Sequence, residues 1–289
     1  MRIARRAPAS SPPTITPTGS FGSRDAVLAL LQEAVRIRAS EIHMKAPGPC
    51  IVRIDGVRTP FGPRALTPID ARNVANILAE LGGRDTMLTS GVEAEFSFGI
   101  PGVGRFHTTL YQQRGSLAAI LHPVAMTPPT LESVGGLPSL VDLLEPGKLV
   151  GLLGAQRVEW LHALLNEWNQ TRNGYIVSIE RPLRYLHRDA QSSIAQRETG
   201  QDVRDTAAGI RLAARLGADL ITVSDLTEGE AVAAAIEATE RGLTVLAAID
   251  ATRADVAVDW ITLRLPPGYR EENRPWIERA LVPVLCVRR

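Results

Sequence analysis

The sequence has only two cysteines, Cys50 and Cys286, separated by most of the chain and without a CxxC companion. That scarcity argues against a disulfide framework and against a thiolate zinc site, and makes a reducing cytoplasm the expected setting. No long apolar run is present, so no membrane-spanning helix is expected. Charge of one sign is lacking too: 32 Lys and Arg stand against 31 Asp and Glu. With the field so balanced, nothing global points to nucleic acid or an acidic surface as partner. Arg2, Arg5 and Arg6 open the chain, but Ser, Thr and Pro follow instead of an apolar segment. Residues 1–21 therefore read as a disordered arm and not as a targeting peptide. No internal repeat is evident. What is there is 45% hydrophobic residues in 289, enough for a real core in one large domain or two ordinary ones.

The pattern changes midway. In "SRDAVLALLQEAVRIRASEIH" the residues Leu28, Leu31 and Val35 share a helical face. "CIVRIDGVRTPFG" alternates across an Asp-Gly turn, and "TPIDARNVANILAELGG" predicts a helix with Pro68 in its first turn. "EAEFSFGIPGVGRFHTTLYQQRGSLAAILHPV" predicts antiparallel strands joined at Pro-Gly and again near Arg114 and Gly115. Residues 22–124 thus form an expected α+β domain. Prolines and glycines mark 125–145 as a linker. From 146 to 289, apolar strands near 148–153, 175–179, 219–223 and 243–249 alternate with helical patterns such as Val158, Leu161, Leu165 and Trp168. That rhythm predicts a parallel sheet covered on both faces, with ligand positions at the carboxyl ends of its strands.

The first of those strands runs into "GKLVGLLGAQRVEW", a strand-glycine-helix passage of the kind that holds phosphates, yet without Gly-Lys-Ser/Thr. Around it, "ASEIHMK", "RIDG", "FSFGIPGVGRF" and "YQQRGSLAAIL" resemble the amino-terminal domain of the PilT-like retraction ATPases of type IV pili, within the wider secretion ATPase superfamily. "SIERP", "AQRETG", "GADLITVSD" and "EATERG" follow in that family's order, so the likeness covers nearly the whole chain from about residue 25. The resemblance implies an α/β protein with a PAS-like domain and a RecA-like P-loop NTPase-type core. It further implies a hexameric ring, ATP held between the domains with help from arginines of the first, and attachment to a pilus or secretion platform. A further helical region is expected after "DWITLRLPPGYREENRPWIERALVPVLCVRR", so the second domain reads as shortened.

Carried over residue by residue, the family's phosphate loop puts Gly151 at its first glycine, Gln156 at its last, Arg157 at the lysine and Val158 at the hydroxyl that meets magnesium. An alternative register starts at Gly154 and needs a deletion. Val158 offers no oxygen to a hard cation, Arg157 replaces a compact ammonium by a planar fork, and Gln156 adds a Cβ where a left-handed glycine is expected. Glu180 keeps the acid of the family's "IEDP" while Arg181 replaces its aspartate. Asp225 stands at the Walker B glutamate, Ser224 and Thr227 at its flanking glycine and arginine, and Asp250 at the histidine of "LHT". Glu180 and Asp225 are open to a general acid/base or metal role, or to a plain one as caps and surface groups. Asp250 is open to an ion pair with Arg157. Arg105 and Arg114 match two family arginines, for phosphate or for a subunit interface, and Leu121 replaces a third. His43, His107, His122, His162 and His187 lack ligand spacing and read as ordinary polar or half-buried residues.

These departures lead to the expectation of degenerate nucleotide motifs and of a protein that is not an enzyme, with no cofactor and no metal. It would act as partner or regulator of type IV pilus (twitching motility) or secretion machinery, in the cytoplasm or at the inner face of the membrane through a partner. Its expected partners are copies of itself, paralogous ATPase subunits or the platform, not nucleic acid. Two alternatives stand beside this reading: a weak or unusual ATPase, using ATP and magnesium, that drives retraction or secretion; and a sensor of nucleotide or small ligand without turnover.

Overall fold

The structure, a computed structural model, describes residues 21–84 and 93–286. The expected arm lies outside the described residues except for Phe21, which is buried, with Arg64 over its ring. The chain divides into two compact units between Val124 and Ala125.

In the first unit, helix α1 (Arg24–Arg36) begins where Ser23 Oγ accepts from the amide of Ala26. Its buried stripe is Val27, Leu30, Leu31 and Ala34, while Leu28 and Val35 are only half-buried, so the apolar face is turned from the one expected. Strands β1 (Glu41–Lys45), β2 (Gly48–Ile54) and β3 (Val57–Leu66) follow. Asp55 and Gly56 both have positive φ, +48° and +80°, the backbone that a two-residue hairpin turn requires. Helix α2 (Pro68–Leu81) starts in a reciprocal cap between Thr67 and Asp70, and Arg64 forks onto the Asp70 carboxylate at 2.6 and 2.9 Å. Strands β4 (Ala94–Ile100), β5 (Gly104–Gln113) and β6 (Ser116–Pro123) complete an antiparallel sheet of order β3-β2-β1-β6-β5-β4. Alternation puts Ile42, Val52, Phe106, Leu110 and Leu121 on one face, where α1 and α2 bury them.

The second unit is built on a parallel sheet. Its strands are β7 (Leu149–Leu153), β8 (Gly174–Glu180), β9 (Ser192–Glu198), β10 (Leu220–Val223), β11 (Thr244–Ala248) and β12 (Leu281–Leu285), in the order β12-β7-β11-β10-β8-β9. The sequence shows the four inner strands because they are buried on both faces and read as unbroken apolar runs. The edge strand β9 is half-exposed and carries no such run. A short helix α3 (Leu131–Val134) precedes β7, α4 (Arg157–Thr171) follows it, and α5 (Thr206–Arg215), α6 (Gly229–Glu240), α7 (Ala257–Arg264) and α8 (Arg270–Ala280) come after β9, β10 and β11. On one face Val150, Leu152, Ile176, Leu220 and Leu246 pack with Leu161, Leu164 and Trp168 of α4. On the other, Val177, Ile179, Ile221 and Val245 pack with α5 and α6. Leu131, Val141 and Leu144 join the α4 core, so the stretch read as a linker is part of this unit's packing.

Gly82 ends α2 in ordinary right-handed backbone, but a Cβ there would lie 2.2 Å from Cδ2 of Phe96, which is itself buried. Gly82→Ala therefore overpacks the first core and is expected to cost about 1–3 kcal/mol in urea unfolding. Phe96→Leu in the Gly82→Ala background should recover part of that loss; additive losses would contradict the contact.

Candidate functional site

Because the strands of the second unit are parallel, their carboxyl ends lie along one edge, where Gly154, Asp250 and Asp225 follow β7, β11 and β10 and Glu180 ends β8, in sheet order. This is where an α/β sheet meets ligands.

Gly151, mapped as the first glycine of the phosphate loop, lies in the middle of β7, where a Cβ would meet Ile249 Cδ1 at 2.9 Å. It is a packing glycine. The turn itself is Gly154, Ala155 and Gln156, between the end of β7 and the start of α4, which favours the register that starts at Gly154. Gly154 has φ +96°, and a Cβ there would stand 2.7 Å from the carbonyl oxygen of Cys286, beyond β12. Any side chain is excluded on both counts. Gln156, expected in a left-handed backbone, has φ −102° instead and leaves its Oε1 buried without a hydrogen-bond partner. Arg157 opens the helix, donating to Gly154 O at 3.1 Å and pairing with Asp250 at 3.2 Å. Asp250 is 65% exposed, so that pair is worth roughly 0–1 kcal/mol and is easily exchanged. Val158 is half-buried and packs against the α4 core, with no oxygen for a cation. Residues 157 and 158 thus do not fit a magnesium ion as the family pattern requires. Among the described residues no group of three His, Cys, Asp or Glu could hold a metal.

The two paired carboxylates sit in opposite environments. Asp225 is exposed, beyond β10, whereas Glu180 is 1% exposed at the end of β8. Glu180 Oε1 accepts from Ser178 Oγ at 2.7 Å and from Gln196 Nε2 at 2.9 Å, and Thr222 Oγ1 donates to Ser178 Oγ at 2.8 Å. Its Oε2 accepts from the amide of Arg184 at 3.4 Å and lies 3.5 Å from His162 Nε2. Burial pushes the Glu180 carboxyl up to about 7, against the pull of the Gln196 and Ser178 hydrogen bonds. Burial likewise holds His162 down to about 3, with the nearby His187 and Arg184 charges adding to it. The His162–Glu180 contact is therefore not an ion pair at neutral pH.

His162 also lies 3.0 Å from His187, Nδ1 to Nε2, with the ring of Tyr185 4.7 Å away. These two histidines, 25 positions apart, gave no signal in spacing, and neither did Gln196; α4 and the chain after β8 bring them together. The other histidines lie near one another on the adjacent strands β1, β6 and β5 of the first unit, His43 beside Glu41 at 2.9 Å and His107 opposite His122 across β5 and β6. Arg105 and Arg114 are not brought together. Arg105 is the second residue of β5 and Arg114 directly follows its end, about 30 Å away at roughly 3.3 Å per residue. Leu121, at the third arginine position, is fully buried, a place that excludes an unpaired guanidinium.

The raised Glu180 carboxyl has a consequence for stability. Folding favours its protonated form, so its contribution is fully present below the unfolded value of 4.5 and is lost as pH rises toward about 7. Glu180→Gln removes the titration. Chemical unfolding should show the wild type losing on the order of 3 kcal/mol relative to that variant between pH 4.5 and 8. Parallel pH curves for the two proteins would rule out a buried, titrating Glu180.

No family model matches the chain. It is 26% identical to the type IV pilus ATPase PilU of Pseudomonas aeruginosa over 258 residues, 87% of this chain and 66% of PilU. It is 25% identical to the retraction ATPase PilT of the same organism over 262 residues, 89% of this chain and 75% of PilT. The chain thus spans about two thirds to three quarters of the length of these relatives. A crystal structure of the pilus retraction motor PilT with bound ADP superposes with a TM-score of 0.77 at 28% identity, covering 88% of this chain and 75% of that one. The Legionella pneumophila ATPase DotB shares the fold, with a TM-score of 0.76 at 18% identity over 96% of this chain and 78% of its own. The expectation of a protein that is not an enzyme is corrected by these likenesses, because the proteins matched across most of the chain are ATPases. In sequence and in its α/β fold alike, the chain is similar to PilT, PilU and related twitching-motility ATPases of the type IV pilus and secretion ATPase family.

Proposed function

We propose that this chain is an ATPase of slow turnover that drives pilus retraction or secretion. The observation that carries the reading is the placement of Arg157 at the amino end of the fifteen-residue helix α4, beside Asp250, Asp225 and Glu180 along one carboxyl edge of a parallel sheet. A helix amino terminus favours an anion, and Arg157 carries a permanent positive charge there. When a triphosphate arrives, Arg157 exchanges Asp250 for phosphate oxygens at small cost. Glu180 is the base for the attacking water, with a carboxyl already poised near neutrality. In the closed arrangement seen here it is shut from solvent, and the Arg184 amide must release it before water reaches it. That opening step, together with the missing lysine and hydroxyl, accounts for slowness. No step is routed through a metal, because Val158 offers none a hold.

In this reading the first unit, an antiparallel sheet with its helices on one face, is a PAS-like module for subunit packing, and Arg105 and Arg114 serve separate contacts at opposite ends of β5. The working form is an oligomer of this chain or of related subunits on a pilus or secretion platform, in the cytoplasm. None of the described helices is long and apolar enough to cross a membrane.

Phosphate release from purified protein with ATP and magnesium decides the matter. The wild type should show saturable release above a blank, Arg157→Ala a several-fold higher KM, and Glu180→Gln a kcat lower by about 100-fold or more. Release no faster than that of Glu180→Gln at every ATP concentration would overturn the proposal.

A further inference from the structure

Gln196 stands on the edge strand β9, in the "AQRETG" passage, and donates both hydrogens of its side-chain amide to oxygens. Its Nε2 donates to Tyr185 O at 2.7 Å and to Glu180 Oε1 at 2.9 Å, while its Oε1 accepts from the backbone amide of His187 at 2.8 Å. The two backbone partners fix the orientation of the amide. A peptide N–H only donates, so it must meet the side-chain oxygen; a peptide carbonyl only accepts, so it must meet the side-chain nitrogen. With one N–H on Tyr185, the second is directed at Glu180. Gln196 therefore always donates to Glu180 and never accepts from it. Ser178, the other partner of Oε1, differs, because its hydroxyl also accepts from Thr222 Oγ1 at 2.8 Å and is free to rotate.

A carboxyl oxygen that receives a fixed N–H is the poorer place for a proton, so this bond favours a bare Oε1 and leaves Oε2 as the oxygen that carries one. Oε2 is also the atom that accepts from the Arg184 amide at 3.4 Å, on the side that must open to water. We propose that Gln196 is a positioning residue: by holding Oε1 it fixes which oxygen of Glu180 works as the base and keeps that oxygen on the opening side, a role that rests on reading Glu180 as the base of an ATPase. In that reading the attacking water loses a proton to Oε2 while the electron pair of its O–H bond stays on the water oxygen. The new P–O bond forms as the bond to the bridging oxygen of ADP breaks and leaves its pair there. Oε2 later returns the proton to water on the same open side, and Gln196 itself neither gains nor loses one.

The other groups around Glu180 come from every element packed against it. Ser178 of β8 and Thr222 of β10 stand on the Oε1 side, and Arg184, Tyr185 and His187 belong to the segment after β8. His162 of α4 lies 3.5 Å from Oε2 without a hydrogen bond to it, under the Tyr185 ring, and Glu159 of α4 acts on Tyr185. Burial keeps both His162 and His187 uncharged at neutral pH, so neither supplies a positive charge to the carboxylate. Burial, foremost, and the charge of Glu198 on β9 disfavour the ionised Glu180; among the contacts that oppose them the Gln196 hydrogen bond is the largest, ahead of Ser178 and the Arg184 amide.

The test has one arm without ATP and one with it. In the first, full-length protein labelled with ¹³C at the glutamate carboxyl and ¹⁵N at the glutamine side chain is titrated by NMR. In the wild type the Gln196 amide signals should move with the same midpoint as the Glu180 carboxyl, and that movement should be gone in Glu180→Gln. In Gln196→Met, of similar length but with no donor, the Glu180 midpoint should rise by about one pH unit. In the second arm the acid limb of the kcat profile for phosphate release should move up by the same amount in Gln196→Met, so that kcat at pH 7 falls about fivefold with KM unchanged; a residue that only braces the fold would not move that limb. A Gln196 amide that ignores the Glu180 titration overturns the proposal in the wild type alone, whether or not the variant folds, and so does an unshifted midpoint in folded Gln196→Met. A shifted carboxyl midpoint in a protein that releases no phosphate keeps the hold of Gln196 on Glu180 and sinks the ATPase reading, so the two failures are separable.

Discussion

A parallel sheet covered on both faces by helices has room for apolar side chains, and its only natural exit for charge is the edge where the strands end. Glu180 stands at that edge, the last residue of β8, with His162 of α4 beside it. An isolated carboxylate there would cost far more than the domain can spare. What makes the position tenable is a shell of short-range partners: Ser178 and Thr222 below, Gln196 alongside, the Arg184 amide and His162 above. Those contacts join α4, β8, β9 and β10, so the helix that follows the Gly154 turn and the strand that carries the acid are tied through one buried polar cluster.

The loop before α4 is constrained from the opposite side. Three residues span the turn, and Gly154 is pressed against the backbone beyond β12, whose Cys286 amide in turn donates to Leu153 at 2.8 Å. The edge strand therefore shapes the loop, although it comes last in the chain. Arg157 reaches out of this tight turn to an exposed aspartate, an arrangement that keeps positive charge at the helix amino terminus while leaving it free to change partner. The likeness to PilT and PilU extends over most of the chain, so it is a likeness of the whole architecture and not of the loop alone.

The amino-acid sequence by itself determined the elements and much of their arrangement. Period-two alternation and the Asp55-Gly56 and Arg114-Gly115 turns marked the antiparallel unit, and unbroken apolar runs marked the inner parallel strands, because those signals are local and follow from backbone geometry. The same locality explains what it missed. The stripe of α1 depends on what it packs against, β9 is an edge strand with no apolar run, and Gly151, a glycine in a strand interior, looks the same in a sequence as one in a turn. Only the tertiary structure decided that Glu180 is buried and Asp225 exposed, that Arg105 and Arg114 stand at opposite ends of one strand, and that His162 and His187 touch. Burial and contact between distant residues are properties of packing, and no spacing along the chain encodes which two helix and loop positions will meet over the end of a strand.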